Sequence, residues 1–272
     1  MACIIRPTAK MHDHQSNSMN ATFHQQISFA AHQDLAYANP FSAAQMDCLI
    51  QAAHHHRANK AVEIGCGSGA FVLALAQQQQ IHLAALDINP LSLERARQQA
   101  AQLPLLGEVS FLQTDAQSFF AAHTEPYDLI ICLGASQAFG TPHQALQSLS
   151  QRLAKGGMLI FAELMWAQAP AAEFIAFLQV QESDYWQAPE ADSIFRENGL
   201  QLQQSLYASA QSWQEYEAAV MAGRLRFANK LDNFEQAEQV RQMAQTWQTA
   251  YQTYGRECLG FAGYVAIKTA LV

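Results

Sequence analysis

The chain has 272 residues, of which half are hydrophobic and only 14% are charged, so it can fill a core and is not typical of a disordered or fibrous protein. Its 23 acidic residues outnumber the 15 Lys and Arg residues and give a net charge of −8. This charge disfavours sequence-independent binding to nucleic acid or to an anionic membrane surface.

The cysteine pattern and the absence of long apolar stretches indicate the compartment. Five scattered cysteines form no CxxC pair, and their odd number does not suit a disulfide framework. No apolar stretch reaches about 18 residues, and the N-terminus lacks the apolar centre of a secretory signal. We therefore expect a cytoplasmic protein with no membrane partner.

From Lys60 onward, short β-rich runs alternate with helical patterns, which is typical of an α/β fold with a mostly parallel sheet and helices on both faces. The last strand is expected to be antiparallel, because its connection need not be a right-handed crossover. The predicted strands are Ala61–Gly65, His82–Ile88, Val109–Thr114, Tyr127–Leu133, Met158–Leu164, Leu200–Ala208 and Phe261–Lys268.

Capping residues predict two of the intervening helices. Asn89 can cap a helix that begins at Pro90. Pro142 opens a second helix, which Lys155 and Gly156–Gly157 are expected to terminate.

Three segments depart from the alternation. Residues 1–22 are polar without periodicity and predict a flexible tail. Residues 166–199 and 211–257 are long insertions, and the second has helical patterning. Ligands of open α/β sheets bind beyond the carboxyl ends of the strands, so we expect the insertions to form a lid or substrate wall.

The segment AVEIGCGSGAF joins the first strand to a helix through Gly65, Gly67 and Gly69. Such a tight turn needs residues that accept positive φ and allow close backbone approach to a ligand. The spacing is GxGxG, whereas the dinucleotide fingerprint is GxGxxG. Nothing basic flanks Cys66, which we interpret as a small residue that fits the loop and not as a nucleophile.

Acidic residues lie at the ends of three successive strands. Glu63, two residues before the first glycine, suits a cationic ligand better than a pyrophosphate. Asp87 lies at the end of the second strand, where a carboxylate can accept hydrogen bonds from both hydroxyls of a ribose. Asp115 follows the third strand and could accept a hydrogen bond from an adenine amino group, while the backbone amide of Ala116 donates to the ring.

The motifs EIGCGSG, ALDINP and QTDA, in this order and spacing, resemble the class I S-adenosylmethionine-dependent methyltransferases over roughly Ala61 to Leu164. The resemblance implies a Rossmann-like, seven-stranded methyltransferase domain over residues 60–272 and S-adenosylmethionine as cofactor. The residues implied to bind it are Glu63, Gly65, Cys66, Gly67, Gly69, Asp87, Ile88, Asp115, Ala116, Leu133, Gly134 and Ala135.

A narrower resemblance links the chain to a bacterial group of methyltransferases of unassigned substrate. It rests on FHQQISFAAHQDLAYANPFSAAQMDCLI, LGASQAFG and KGGMLIFAELMW. It implies that residues 23–59 form a helical cover that folds over the cofactor pocket around Tyr37, Asn39 and Pro40.

A sulfonium methyl group is already a strong electrophile, so in-line alignment of the acceptor and exclusion of water supply most of the catalysis. His143 and Glu163 are candidate general bases, with exposure and local capping as their competing interpretations. Aromatic residues that could line an acceptor pocket, or equally pack in the core, are Tyr37, Trp166, Tyr185 and Trp186. His54–His56 is interpreted as a solvated surface run, and no metal site is predicted.

We therefore predict methyl transfer to a small-molecule acceptor, with no nucleic acid partner. A non-catalytic S-adenosylmethionine-binding or regulatory module would share the cofactor contacts. An NAD(P)-dependent oxidoreductase would need the missing GxGxxG. Methyltransferases that act on exocyclic amines of nucleic acid bases typically carry an NPPY-like turn where this chain reads LGASQAFG.

Overall fold

The computed structural model describes residues 14–269, with side chains from residue 21 onward. One seven-stranded sheet with the order β3-β2-β1-β4-β5-β7-β6 forms its centre. The strands are β1 Lys60–Ile64, β2 His82–Asp87, β3 Glu108–Gln113, β4 Tyr127–Leu133, β5 Leu153–Trp166, β6 Leu200–Tyr207 and β7 Leu259–Lys268. β7 runs antiparallel to β5 and β6, whereas β1 to β5 pair in parallel, which confirms the predicted sheet.

Helices cover both faces of this sheet. They are α1 His14–His32, α2 Ala43–His56, α3 Ala70–Ala76, α4 Pro90–Ala100, α5 Ala116–Ala122, α6 Pro142–Gln151, α7 Ala172–Leu178, α8 Ala191–Glu197, α9 Ala210–Ala228 and α10 Phe234–Ala250. Short helical turns follow at Tyr251–Gly255 and Arg256–Cys258, and 3-10 turns lie at Ser136–Ala138, Glu182–Asp184 and Ala188–Glu190. The α2–α3 face buries residues such as Leu49 and Phe71, and the α5–α6 face buries Phe119 and Leu146.

The predicted helix starts follow from their caps. The Asn89 side chain accepts a hydrogen bond from the backbone of Leu91 at 3.1 Å, which confirms the start of α4. Thr141 and Gln144 form a reciprocal capping box before α6.

The predicted end of α6 is wrong. The helix ends at Gln151, and Lys155 with Gly156–Gly157 lies inside β5. Tyr127 pairs with Leu153 but Leu129 with Met158, so the intervening residues of β5 leave the register of the sheet. The glycine pair therefore accommodates an irregular strand and does not terminate a helix.

The N-terminal segment is more ordered than its composition indicates. α1 begins at His14, within the segment predicted to be a flexible tail, while residues 1–13 of that prediction lie outside the described residues. α1 packs closely on α9 at Gly223. A Cβ added to Gly223 would lie only 2.5 Å from the carbonyl oxygen of Ala30. Tertiary packing of this kind stabilises helices whose sequence has weak periodicity.

The two long insertions are helical. α7 and α8 occupy the first, and α9 and α10 occupy the second. α1, α9 and α10 share a small core that buries Ile27, Ala228 and Val240. Across the described residues, every helix is too short or too polar to traverse a lipid bilayer.

Candidate active site

The glycine loop leaves the carboxyl end of β1, where the strand order reverses between β2 and β4, and this is where open α/β sheets bind ligands. Gly65, Gly67 and Gly69 all have positive φ, at 67°, 54° and 78°. A Cβ on Gly65 would lie 2.6 Å from the Cβ of Ala135, whereas a Cβ on Gly67 would meet nothing within 4 Å. Gly65 therefore serves packing, and Gly67 presents open backbone.

Asp87 ties the glycine loop to the end of β2. Its carboxylate accepts the backbone N–H of Gly67 at 2.8 Å and that of Asn89 at 2.7 Å. Burial raises the pKa of Asp87, and these backbone hydrogen bonds oppose the shift. The carboxylate is thus fixed at the mouth of the loop.

Glu63 is a buried acid with an unused oxygen. Among the described residues, its Oε2 atom has no hydrogen-bond partner. Burial, and then the charge of Asp87, raise the pKa of Glu63 to about 8, opposed by a hydrogen bond from the Val72 backbone. A buried, unpaired acceptor of this kind is costly, so the site is arranged to receive a donor or a cation.

Cys66 and Ile88 complete the inner part of the site. Cys66 is buried, and its backbone N–H bonds to the carbonyl of Leu86 at 2.9 Å. Burial raises the pKa of its thiol well above the ordinary value, as expected for an inert packing residue. Ile88 is 59% exposed at the end of β2, and an open apolar side chain there suits a flat apolar ligand surface.

The third strand's acid has a local structural role. The exposed carboxylate of Asp115 caps α5 by accepting the Ser118 backbone N–H at 2.8 Å, and this bonding lowers its pKa. Ala116 is buried behind it. Asp115 therefore has the ordinary role of a helix cap in this structure. The adenine contact predicted for this strand end stays a prediction.

The loop after β4 lies beside the glycine loop. Leu133 is half-buried, Ala135 contacts Gly65 as described above, and Gly134 has φ of 71° while its N–H donates to the Ala162 carbonyl at 2.7 Å. Glu163 accepts the Ser136 N–H at 3.3 Å.

The structure does not favour either predicted general base. Both oxygens of the buried Glu163 are occupied, since its Oε1 accepts the Leu164 N–H at 2.9 Å. Glu163 thus holds the loop in place. The ring of the half-buried His143 packs edge-on against Trp186 at 5.0 Å between centroids, at the margin of the core of the α5–α6 face.

Two of the four aromatic residues predicted for an acceptor pocket are core residues. Trp166 is buried and donates to the Glu182 carbonyl at 2.8 Å. Trp186 is buried on the opposite face and donates to the Tyr264 hydroxyl at 3.0 Å. Tyr185 is half-buried with its ring edge-on to Trp166. The competing interpretation of core packing is therefore correct for both tryptophans, because their only polar atoms are used internally.

Tyr37, in contrast, is half-buried at the edge of the α2–α3 core. Burial raises the pKa of its hydroxyl, and the charges of Asp47 and Glu63 add to the shift. Asn39, which accepts the Phe41 N–H at 3.0 Å, shapes the turn that carries Tyr37.

Sequence reasoning missed Gln25 of α1. Its side chain donates to the backbone carbonyl of Ile88 at 3.1 Å, and its backbone carbonyl accepts a hydrogen bond from the Asn89 side chain at 2.9 Å. α1 therefore docks on the residues directly after Asp87. A lone glutamine in a polar segment carries no sequence signal for this contact.

The histidine run is less solvated than expected. Only His55 is exposed, while His56 bonds to the Asp128 carbonyl at 3.1 Å. Within the described part of the chain, no group of three or more His, Cys, Asp or Glu side chains is arranged to hold a metal ion.

Comparison with known proteins identifies the family. The family described as "Methyltransferase domain" matches residues 55–252. The chain belongs to this methyltransferase family. The predicted enzyme class, an S-adenosylmethionine-dependent methyltransferase, and its cofactor are thereby confirmed.

Three relatives illustrate the assignment. The uncharacterized protein YjhP of Escherichia coli is 29% identical over 233 residues, covering 84% of this chain and 92% of YjhP. A methyltransferase of Thiobacillus denitrificans, solved with S-adenosyl-L-homocysteine, is 28% identical with a TM-score of 0.77, covering 89% of this chain and 98% of that one. A ubiquinone biosynthesis O-methyltransferase of Saccharophagus degradans is 28% identical over 126 residues, 46% of this chain and 50% of the relative.

The site fits the cofactor of this family on its own geometry. The unpartnered Glu63 oxygen suits the cationic methionyl part, and the open face of Gly67 leaves room for close backbone approach. The fixed Asp87 carboxylate suits a ribose, and the exposed Ile88 suits a base.

Proposed function

We propose that this protein transfers the methyl group of S-adenosylmethionine to a small-molecule acceptor, chiefly by in-line positioning. The observation that carries the proposal is the pair of acids at the glycine loop. The half-buried Asp87 is anchored by two backbone amides, and the buried Glu63 has an oxygen without a partner among the described residues. One relative, a ubiquinone biosynthesis O-methyltransferase, supports a methyl acceptor of low molecular weight.

Each part of the site has a role in this proposal. Glu63 would bind the methionyl ammonium group, and Asp87 the ribose hydroxyls. The glycines would allow the backbone to approach. When bound, the cofactor supplies an electrophilic methyl group. Cys66 would fill space within the glycine loop. The residues assigned to the remaining contacts are Ile88, Asp115 and Ala116 near the base, and Leu133, Gly134 and Ala135 beside the sulfonium.

Positioning replaces a dedicated base in this proposal. Both carboxylate oxygens of Glu163 accept hydrogen bonds from backbone N–H groups, and the ring of His143 packs against Trp186. Gln25 docks α1 on the end of β2, where α1 would limit the size of the acceptor and help to exclude water from the reacting atoms. Tyr37 and the insertion helices would form the acceptor side of the lid.

The first test is turnover. The purified protein is incubated with S-adenosylmethionine and a metabolite library, and S-adenosylhomocysteine is measured by mass spectrometry. We expect its acceptor-dependent accumulation. Tight cofactor binding with no product across the library would reject methyl transfer in favour of the non-catalytic binding module.

The second part of the test concerns Asp87. Asp87→Asn leaves one oxygen to serve two backbone amides and the ribose, so we predict a loss of S-adenosylhomocysteine affinity of about tenfold or more by calorimetry. Asp192→Asn, which removes an exposed acid paired with Arg196, is the matched control and should bind normally. Equal affinities for the two variants would contradict the site assignment.

A further inference from the structure

A buried polar cluster lies where α1, α9 and α10 meet. We call it the Arg224 cluster, and its members are His32, Tyr216, Glu217, Arg224 and Trp247. Tyr216 is buried, Glu217 and Arg224 are half-buried, and Glu217 and Arg224 lie seven residues apart on one face of α9. The cluster plays no part in the contacts of the glycine loop.

The neighbours of Arg224 bond to one another. The His32 ring bonds to the Ser28 carbonyl at 2.8 Å and to the Tyr216 hydroxyl at 3.0 Å. Glu217 accepts the indole N–H of Trp247 at 2.7 Å. Burial lowers the pKa of His32 to about 4, so this ring is neutral at pH 7 and Arg224 supplies the positive charge of the cluster.

Two donors of the Arg224 side chain have no acceptor among the described residues. They are the buried Nε and Nη1 atoms, while the residue as a whole is half-buried. The Arg224 charge acts on Glu217, but the two side chains form none of the ion pairs found in the described part of the chain. Buried guanidinium donors without acceptors are unfavourable, so an anionic group from outside the chain would complete the cluster.

α1 links the Arg224 cluster to the cofactor end of the sheet. Gln25, which contacts Ile88 and Asn89, and His32 are seven residues apart on one face of α1. Seven residues of helix span about 10 Å. His32 of the cluster therefore lies about two helical turns along α1 from the residue that contacts the end of β2.

We propose that the methyl acceptor carries a carboxylate or phosphate group, which the guanidinium of Arg224 binds through its unused Nε and Nη1 donors. The fork of an arginine matches both anions in bidentate geometry. The inference rests on the proposed methyl transfer for the identity of its ligand, whereas the anion site can be measured independently.

The test compares the wild type with Arg224→Gln, Arg224→Lys, Arg224→Met and Arg226→Ala. Arg226 forms a surface ion pair with Asp34, so its variant removes the same charge from the same helix without touching the cluster. Each protein, saturated with S-adenosylhomocysteine, is titrated with inorganic phosphate and with acetate in chloride buffer. Calorimetry and thermal unfolding are the readouts, and the two anions distinguish the two sources of negative charge.

We expect at least one anion to bind and stabilise the wild type and Arg226→Ala. The affinity should fall about tenfold or more in Arg224→Gln and Arg224→Met, and less in Arg224→Lys, which keeps the charge but loses the fork. Arg224→Met should unfold at the same or a higher temperature than the wild type without anion, because it removes an unpaired buried charge.

Methyl transfer is then measured with paired acceptors, carboxylic acids with their amides and phosphate monoesters with their alcohols. The wild type should prefer the anionic member, and Arg224→Gln should lose this preference. Anion binding that does not depend on Arg224 would overturn the inference. So would a loss of S-adenosylhomocysteine affinity in Arg224→Gln as large as the loss of anion affinity in the same variant. Arg224-dependent anion binding without any methyl transfer would support the site and reject the proposed function.

Discussion

At the end of β1, the carboxyl group of Glu63 is buried beside a second acid, and its pKa rises from an ordinary value of 4.5 to about 8. The group is therefore mainly protonated at pH 7 in the free protein. Its contribution to stability is full below pH 4.5 and is lost as the pH rises through about 8, because the unfolded chain ionises first. A cationic ligand would reverse this preference by stabilising the carboxylate.

We predict that S-adenosylhomocysteine binding near pH 7 releases a proton from Glu63. Calorimetry in two buffers of different ionisation enthalpy measures the release, and Glu63→Gln should abolish it. The same variant should also flatten the fall in unfolding temperature between pH 4.5 and about 8. Proton release that persists in Glu63→Gln would show that another group carries the effect.

At the scale of elements, two glycines of the turn between β1 and α3 have different roles, one in packing and one in ligand approach. Gly65 is pressed against Ala135, but Gly67 faces open space at a positive φ. Gly156, in the irregular part of β5, has the same combination of positive φ and open space. The two positions differ in their distance from the acids and not in their backbone strain.

We predict that Gly67→Ala and Gly156→Ala lower the unfolding temperature by similar amounts, about 2–4 °C each, because each adds about 1 kcal/mol of left-handed strain. Only Gly67→Ala should weaken S-adenosylhomocysteine binding, by about tenfold or more, since its methyl group would occupy the approach to the loop. Thermal unfolding and calorimetry measure the two effects. Equal binding by both variants would contradict a ligand at Gly67.

At the scale of the whole molecule, α1 connects the cofactor end of the sheet to the insertion helices. Gln25 holds it to Ile88 and Asn89, and the close approach of Gly223 to Ala30 holds it to α9. Ligand binding at Asp87 should therefore also stabilise α1, although α1 is far from Asp87 in the sequence.

We predict that S-adenosylhomocysteine slows hydrogen exchange in residues 23–32 as well as in the glycine loop. α7, on the other insertion, is the internal control and should not respond. Gly223→Ala should speed exchange in α1, because its Cβ would lie 2.5 Å from the Ala30 carbonyl oxygen. Protection confined to residues 60–90 would show that α1 is not part of the cover.

The positions of the strands along the chain, the glycine loop and the acids at the strand ends were predictable from the sequence, because each depends on neighbours close along the chain. The end of α6 was not, since Gly156–Gly157 can end a helix or bend a strand, and pairing with β4 decides between them.

By itself, the sequence determined that this chain folds as a methyltransferase and which residues are candidates to bind its cofactor, because strand-loop-helix chemistry is local. Only the tertiary structure decided that Trp166 and Trp186 pack in the core, that Glu163 holds a loop, and that two Arg224 donors have no acceptor among the described residues. Burial and hydrogen-bond satisfaction depend on which distant elements meet, and a residue's type and spacing do not specify those partners.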